Sequence, residues 1–446
     1  MATVNTKVKS VKKFTHEGAP AQRVNAEAML RRTVSACLLW EKTFYEDGES
    51  IADRIKTTIS KVAPGVVARI AIEARTKWKL RHVPLLIVRE MARSKKHRTL
   101  VAHTLAHVIQ RPDELSEFLA IYWMDGRSPL SAQVKKGLAA AFNKFDAHQL
   151  AKYNRDRDVK LRDVLFLCHA KPKDDVQAEV WKKLVDGTLE APDTWEVKLS
   201  AGEDKKTTWE RLIDTNKLGA MALLRNLRNM ENVSVHKAKI RKALIGMDAT
   251  RVLPFRFIAA AKHAMHFEPE LEAAMMRCLA GKPKLKGKTL VIVDVSGSMT
   301  WEISGKSELN RIDVAAALAM FAREMCEETR VYTFSNTAKE VPARRGFALR
   351  DAIMNGPNGG TMLANSMKQI QSREKTADRI IVITDEQVCG YGTCVPSKID
   401  TFGKLNYLLN VGTYENGIGY GKWTSINGFS EATLDYIYET ERSISQ

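Results

Sequence analysis

The fold of this chain is decided by the stretch Thr289-Leu-Val-Ile-Val-Asp294-Val-Ser296-Gly-Ser298-Met299. Its first half is a β-branched apolar run, typical of a parallel strand that is covered on both faces. Its second half places one carboxylate and two hydroxyls at alternate positions. Because α/β sheets bind ligands beyond the carboxyl ends of their strands, we predict that these three side chains converge. Such oxygen ligands suit Mg²⁺, which takes few protein ligands and keeps several waters.

Two later segments complete the predicted site. Gly359-Gly360-Thr361 offers a hydroxyl in a flexible loop, and the apolar run that starts at Arg379 ends at Asp385. Asp-x-Ser-x-Ser, then Thr, then Asp resembles the metal-ion-dependent adhesion site of von Willebrand factor A domains. The resemblance implies a divalent cation, Mg²⁺, held directly or through water by Asp294, Ser296, Ser298, Thr361 and Asp385. The simpler alternative is that the two aspartates cap neighbouring strands and accept hydrogen bonds from loop amides, with no ion.

Length and composition indicate a soluble protein of more than one domain. The chain has 446 residues, 44% of them hydrophobic and 27% charged, which is ordinary for globular proteins. No apolar run is long enough to span a bilayer, and the N-terminus lacks a signal-peptide core, so we expect a cytoplasmic protein without membrane contact. The 6 cysteines are scattered, which argues against a disulfide framework in so large a chain.

The positive charge is confined to one part of the chain. Residues 1–285 hold 52 Lys and Arg against 33 Asp and Glu, whereas residues 286–446 hold 18 against 19. A basic excess restricted to one region is the electrostatic footprint of a polyanion partner, chiefly nucleic acid, although it can also serve solubility alone.

Periodicity divides the chain into four parts. Residues 1–22 form a flexible basic arm, 23–280 a helical region, 281–288 a Lys-rich linker, and 289–446 an α/β domain. In the helical region apolar residues recur three and four apart, as in Val134, Leu138 and Phe142, and short turns separate the helices. This pattern predicts stacked helical pairs of the HEAT type. In the last part, strands are predicted at 289–294, 330–334, 379–384 and 405–411, with helices at 311–328, 348–354 and 362–372.

Several stretches of the helical region resemble the TROVE domain. They are Lys135 to Phe145, Gln149 to Tyr153, Leu161 to Pro172, Ala222 to Met230 and Val252 to Phe257. Together with the metal-site pattern they resemble the Ro autoantigen family, whose members join a HEAT-repeat ring to a von Willebrand A domain. The predicted fold class is therefore multidomain α + α/β, with an all-α HEAT-repeat-like ring followed by a doubly wound parallel sheet.

The resemblance implies an RNA-binding ribonucleoprotein component that acts in RNA quality control. Family members bind small noncoding Y RNA on the outer face of the ring and admit single-stranded 3′ ends of misfolded RNA to its central hole. A 3′-to-5′ exoribonuclease is an implied partner, and a monomer is expected. One departure concerns Y RNA: the family's Trp-Ser-His segment is replaced here by Asp158-Val159-Lys160-Leu161.

Basic and aromatic residues in the matching helices are the candidate RNA contacts. Lys and Arg would neutralise phosphates, and His or Tyr rings could stack on unpaired bases. The alternative is that the cations are only solvated and that Tyr153 belongs to the core. The candidates are Lys135, Lys136, Lys144, His148, Lys152, Tyr153, Arg155, Arg157, Lys160, Arg162, Lys237, Lys239, Arg241 and Lys242.

No catalytic constellation is predicted, so we do not expect an enzyme. The Gly-rich loops near 356–361 and 417–422 fail the pattern of a phosphate loop, and Gly-x-Ser-x-Gly is absent. A metal-dependent nuclease would need more carboxylates around the ion. His103 and His107 share a helical face but lack a third zinc ligand. The remaining alternative is a protein-interaction scaffold in which Mg²⁺ accepts a partner's carboxylate and the basic face is incidental.

Overall fold

The structure is a computed structural model of the whole chain. It describes residues 13–14, 20–21, 25–36, 48–249, 252, 254–303, 309–356, 358–388, 401–412, 418, 422–427, 433–434, 437–438 and 441. Most of the predicted N-terminal arm, as well as Cys37, Cys389 and Cys394, lies outside these residues. Within them, no helix is long and apolar enough to cross a membrane.

Helices fill the described chain as far as residue 280, after a short antiparallel ribbon of β1 (Lys13–Phe14) and β2 (Pro20–Ala21). The helices are α1 Ala26–Ala36, α2 Gly48–Ile59, α3 Pro64–Thr76, α4 His82–Arg93, α5 Val101–Val108, α6 Asp113–Tyr122, α7 Ala132–Phe142, α8 Ala147–Tyr153, α9 Leu161–Cys168, α10 Asp175–Asp186, α11 Trp195–Ser200, α12 Lys205–Asp214, α13 Ala220–Asn232, α14 Lys237–Gly246, α15 Phe255–His263 and α16 Glu268–Ala280.

Most helices pack against the helix two places further along the chain. Such pairs are α3 with α5, α5 with α7, α7 with α9, α12 with α14, and α14 with α16. This alternation is the packing of a helical-repeat solenoid, in which each unit covers the apolar face of its neighbour. The described helices have two apolar cores: one runs from Leu30 to Leu184, and the other begins at Trp209 and continues into the sheet.

A six-stranded sheet follows, with three helices packed on it. Its strands are β3 Leu285–Asp294, β4 Cys326–Phe334, β5 Ala338–Glu340, β6 Ala377–Thr384, β7 Gly403–Asn410 and β8 Thr424–Asn427, and its helices are α17 Arg311–Met325, α18 Gly346–Met354 and α19 Leu363–Glu374. The order is β5-β4-β3-β6-β7-β8, and among the described strands of this sheet only β5 is antiparallel to its neighbour. Separate apolar clusters line the two faces, as expected for a sheet covered on both sides.

This architecture confirms the predicted fold class, a helical region followed by a doubly wound sheet. The largest differences in element boundaries occur in two places, and the others are shifts of one or two residues. β3 begins at Leu285, inside the predicted linker, because this leucine is buried and pairs with Cys326. α17 ends at Met325 and β4 starts at once, so the predicted helix is three residues too long and the predicted strand begins four residues late. Short edge strands β5 and β8 were not predicted.

The helical region and the sheet are joined by specific polar contacts. Lys262 Nζ of α15 lies 2.9 Å from Asp313 Oδ2 of α17. Glu272 of α16 accepts a hydrogen bond of 2.7 Å from the backbone N–H of Phe347 in α18. Gly346, with φ of 54°, leaves room for this carboxylate, which would collide with a Cβ atom there. At the other end of the helical region, α1 lies against the edge strand β8.

Candidate metal site and nucleic-acid interface

The two predicted acidic ligands meet at the carboxyl ends of neighbouring strands. Val293 of β3 pairs with Ile383 of β6, which sets Asp294 beside Thr384. Asp294 Oδ1 accepts a 2.9 Å hydrogen bond from the backbone N–H of Ser296, and its Oδ2 accepts one of 2.5 Å from Thr384 Oγ1. Asp385 follows Thr384 directly, and both aspartates are fully buried. Parallel register therefore brings the two carboxylates together, as the sequence predicts.

The hydroxyl-bearing loops converge on the same point. Ser296 Oγ and Ser298 Oγ are 3.4 Å apart. The backbone N–H of Gly297 donates to the carbonyl of Gly359 at 3.1 Å, which ties the serine turn to the loop that carries Thr361. Ser296 and Thr361 are buried, and Ser298 is half-buried. The structure thus gathers the loops and strand ends that carry all five predicted ligands.

Charge at this site favours a cation. Burial, together with the neighbouring negative charge of Asp385, raises the pKa of Asp294 above its usual value. A hard divalent ion would relieve that repulsion, and the oxygen donors are of the kind that Mg²⁺ accepts. Among the described residues, no three His, Cys, Asp or Glu side chains form a group that could hold a metal. A cation here would therefore depend on the hydroxyls and on water for its remaining ligands.

Arg311 is a component of the site that the sequence reasoning missed. Its Nη1 lies 3.1 Å from Asp385 Oδ2 and donates to the carbonyl of Ser298 at 3.4 Å, and the side chain is buried. Arg311 is the first residue of α17, whose start is fixed by a capping box between Asn310 and Asp313. The Asn-x-x-Asp spacing could have predicted where the helix begins, but not that its first side chain enters the site.

Many of the side chains predicted to contact RNA form hydrogen bonds or ion pairs with other residues of the protein. The ammonium of Lys144 donates to the carbonyls of Ala106 and Ile109 at the end of α5. The others with ionic partners pair as follows: Arg157 with Glu117, Lys160 with Asp156, Arg162 with Asp163, Lys239 with Asp214 and Glu210, and Arg241 with Glu270. Apart from Lys144, these contacts are largely exposed ion pairs, which are weak and can exchange for phosphate.

The remaining candidates occupy more open positions. Those whose side chains are exposed are Lys136, His148, Arg155, Lys237 and Lys242. Lys135 is half-buried, with its Nζ 3.3 Å from His169 Nε2. The half-buried ring of Tyr153 has the guanidinium of Arg111 at 4.7 Å and the ammonium of Lys152 at 5.9 Å from its centroid. The ammonium of Lys152 therefore lies near the ring of Tyr153. The candidates at 135–162 belong to the segment of α7–α9, and those at 237–242 belong to α14.

The histidine pair on α5 does not resemble a metal site. The rings of His103 and His107 lie 4.2 Å apart, and His107 Nδ1 is 2.8 Å from the carbonyl oxygen of His103. The ring nitrogen therefore contacts its own helix instead of pointing at a shared ligand position.

Comparisons with known proteins agree with this architecture. The TROVE domain profile matches residues 186–333, and the Ro60 vWA domain profile matches residues 288–398. The Ro (RSR) protein of Deinococcus radiodurans has a similar structure, with a TM-score of 0.59 and 17% identity, over 92% of this chain and 98% of that one. At that identity the likeness concerns the fold alone.

Two curated relatives share a shorter stretch. Telomerase protein component 1 of Rattus norvegicus is 35% identical over 94 residues, and that of Mus musculus is 34% identical over 91 residues. Each alignment covers 19% of this chain, and the chain spans 4% of the length of these relatives. The candidate RNA contacts at 135–162 precede both profile matches. The two profile matches show a TROVE domain followed by a Ro60 vWA domain, and the likeness to the Ro (RSR) protein extends this similarity to the fold.

Proposed function

We propose that this protein binds RNA through the basic surface of its helical region and takes part in RNA quality control. The observation that carries the proposal is the charge distribution: residues 1–285, whose described part consists mainly of stacked helices, hold 52 basic against 33 acidic residues, while the sheet part is near neutral. Similarity to the Ro/TROVE proteins supports the same partner. Binding would be electrostatic, with helices presenting Lys and Arg to phosphates.

We propose that the protein has two kinds of RNA ligand. They are a small noncoding, Y-like RNA and the single-stranded 3′ ends of misfolded structured RNAs, with a 3′-to-5′ exoribonuclease as assisting partner. No step of chemistry is assigned to the protein itself. We place its action, as a monomer, in the cytoplasm, where thiols such as the buried Cys168 and Cys326 stay reduced.

The metal site would have a separate role within this protein. Asp294, Ser296, Ser298, Thr361 and Asp385 would hold Mg²⁺, which when bound would stabilise the strand ends and offer a coordination position to a partner's carboxylate. The site is built from the ends of β3 and β6, the serine turn and the loop before α19, whereas the basic candidates lie in the segments of α7–α9 and α14. We therefore expect that chelation leaves RNA affinity unchanged once the RNA itself folds without Mg²⁺.

A salt series tests the RNA proposal. We would measure the affinity of the protein for single-stranded RNA between low and physiological salt, beside the triple variant Lys136→Glu, Arg155→Glu and Arg162→Glu. Each lost phosphate contact on a single strand should reduce the salt slope by about 0.7, so the variant should bind more weakly and with a flatter slope by roughly 2. Weak wild-type binding that ignores salt would contradict the proposal.

The matched control carries the same charge change elsewhere. Lys339→Glu, Lys368→Glu and Arg373→Glu reverse three exposed cations of the sheet part. This variant has the same change in net charge but keeps all the proposed phosphate contacts. It should therefore keep the wild-type salt slope. If both triple variants lose affinity equally, binding depends on net charge and not on the helical surface.

The second candidate function is a protein-interaction scaffold. It is favoured by Trp301, a 56% exposed aromatic side chain directly after the serine turn of the metal site. An exposed tryptophan beside a cation that can accept a carboxylate would suit an acidic protein partner. Binding of such a partner that is lost with EDTA and with Trp301→Ala, in a protein with no salt-dependent RNA affinity, would favour the scaffold.

A further inference from the structure

Phe166 is an aromatic side chain that the fold leaves in water. α9 buries Leu161, Val164, Leu165 and Cys168 against the neighbouring helices, but the side chain of Phe166 is 59% exposed. An isolated exposed leucine needs no explanation, whereas a phenylalanine held outwards on a well-packed helix exposes a large apolar area. The packing of α9 gives no reason for an aromatic residue at this position.

Two helices place cationic side chains on the part of the surface that carries this ring. Arg162 lies one turn earlier on α9, at the spacing that places two side chains on the same helical face, and is exposed. His169 ends the same helix three residues after Phe166, in a left-handed conformation. Because α7 packs on α9, Lys135 reaches His169, with 3.3 Å between Nζ and Nε2. The exposed ring thus shares this surface with cations of two helices.

We propose that Phe166 is a stacking platform for one unpaired base of a bound RNA, with Arg162 and Lys135 contacting the phosphates on either side. The inference rests on the proposed function and adds a residue to it. An aromatic face flanked by cations is how proteins grip single strands without reading sequence. Arg162 lies 3.9 Å from Asp163 in an exposed ion pair, which is weak and can exchange for phosphate. Arg162 and Lys135 are cations, which fit a polyanion better than an apolar protein surface.

Tyr153, the aromatic residue that the sequence favoured for stacking, is less suited to this role. The guanidinium of Arg111 lies over its ring, and Arg111 is itself held by Asp113 with hydrogen bonds of 3.1 and 2.7 Å. One face of Tyr153 is therefore occupied by an anchored side chain. Phe166 is 59% exposed, so a base can approach it with a smaller rearrangement.

Substitutions at Phe166 separate stacking from charge. Phe166→Leu and Phe166→Ala should weaken binding of single-stranded RNA by about 5- to 100-fold, the range that corresponds to loss of one stacked base. Their salt slope should equal that of the wild type, because a phenyl ring neutralises no phosphate. Phe166→Trp should retain affinity, and its added fluorescence, compared with that of the wild type, should be quenched by RNA.

The outcomes distinguish this inference from the function on which it rests. Met265→Ala removes another large apolar side chain that is 73% exposed and should leave RNA affinity unchanged. If the wild type binds RNA with a steep salt slope but Phe166→Ala binds equally well, the stacking platform is wrong while RNA binding stands. If the wild type itself does not bind RNA, the proposed function fails first. If Phe166→Leu binds as well as the wild type and Phe166→Ala does not, the ring is a simple apolar contact and the stacking role is contradicted.

Discussion

Arg311 shows how a single buried side chain can set the properties of the metal site. Its guanidinium lies against Asp385 in a site that holds two buried carboxylates. The arginine thus supplies positive charge where a divalent cation would otherwise supply all of it. The Arg311 guanidinium and a divalent cation would then compete for the Asp385 carboxylate, because two cations close together in a buried site repel each other.

We expect Arg311→Met to raise the affinity for divalent cations by tenfold or more and to make stability depend on them. Without a cation, Asp385 would be left as an uncompensated buried charge, which is strongly destabilising. The measurement is a Mn²⁺ titration together with the thermal midpoint in EDTA and in Mg²⁺. Arg311→Lys, which keeps the charge, is the control. Equal Mn²⁺ affinity in wild type and Arg311→Met would show that the arginine does not compete.

Asp125 provides a prediction about pH. Hydrogen bonds from Arg93 and Arg89 lower the pKa of this carboxyl from 3.8 to about 2. A lowered pKa means that the stabilisation is fully present above pH 4 and is lost as the pH falls through 2. The thermal midpoint of Asp125→Asn should therefore lie below that of the wild type at neutral pH, and the difference should shrink between pH 4 and 2.

The control is Asp186→Asn, an exposed carboxylate at the end of α10. Its difference from the wild type should be small and should not follow this pH profile. If the difference in thermal midpoint between the wild type and Asp125→Asn stays constant down to pH 2, the ion pair with the two arginines does not stabilise the fold. Because Asp125 is 55% exposed, we expect an effect near the weak end of the range for ion pairs.

At the scale of elements, a glycine lies at a close contact between two helices. Gly137 of α7 faces α5, and a Cβ atom there would lie 2.9 Å from Leu105 Cβ and 3.0 Å from the carbonyl oxygen of Ala102. Both distances are shorter than van der Waals contact. The absence of a side chain at Gly137 therefore allows the two helices to approach.

We expect Gly137→Ala to destabilise the helical region. Overpacking costs about 1–3 kcal/mol, while alanine gains about 1 kcal/mol in helix propensity, so the net loss should be up to about 2 kcal/mol. Thermal or urea unfolding measures it. Gly65→Ala, in the first turn of α3 with nothing within 4 Å, is the matched control and should be neutral or slightly stabilising. A Gly137→Ala variant as stable as the control would contradict the close-packing account.

Some features of these elements are predictable from the sequence, and others are not. The strands at β3 and β6 are predictable because their apolar runs are continuous and end in carboxylates, and the order of motifs fixes the five candidate ligands. The start of β3 at Leu285 is not predictable, since Lys286, Gly287 and Lys288 resemble a solvated linker. Those residues lie in the strand because Leu285 and Lys288, on either side of a register shift, pair with β4, and because the backbone N–H of Lys288 donates to Asp378 Oδ2. Thr384 and Arg311 were missed for the same reason: tertiary contacts alone give them their roles.

At the scale of the whole molecule, the last helices and one face of the sheet share one apolar core. It runs from Trp209 through α13–α16 into α17 and the sheet. The split suggested by composition, at residues 281–288, is therefore a change of secondary structure within continuous packing. We expect the last helices and the sheet to unfold together, because a cooperative unit follows shared burial.

Glu272 tests this coupling. Glu272→Ala removes the acceptor of the Phe347 N–H and leaves a backbone donor without its carboxylate, at a cost of about 1–3 kcal/mol. We expect a lower thermal midpoint and faster proteolysis near the junction of helices and sheet. Glu272→Gln retains an oxygen that can accept and should lose less. If Glu272→Ala lowers the midpoint no further than Glu272→Gln, the hydrogen bond does not hold the two parts together.

The most direct test of the central claim compares two RNAs that differ only in their 3′ end. One is a hairpin with a single-stranded 3′ tail, and the other is the same hairpin with the tail paired to a complementary strand. We predict that the protein binds the tailed RNA tightly and with a steep salt slope. It should bind the paired form at least tenfold more weakly at physiological salt. Equal affinity for the two RNAs, or weak binding of both, would contradict an RNA-binding protein that selects free single-stranded ends.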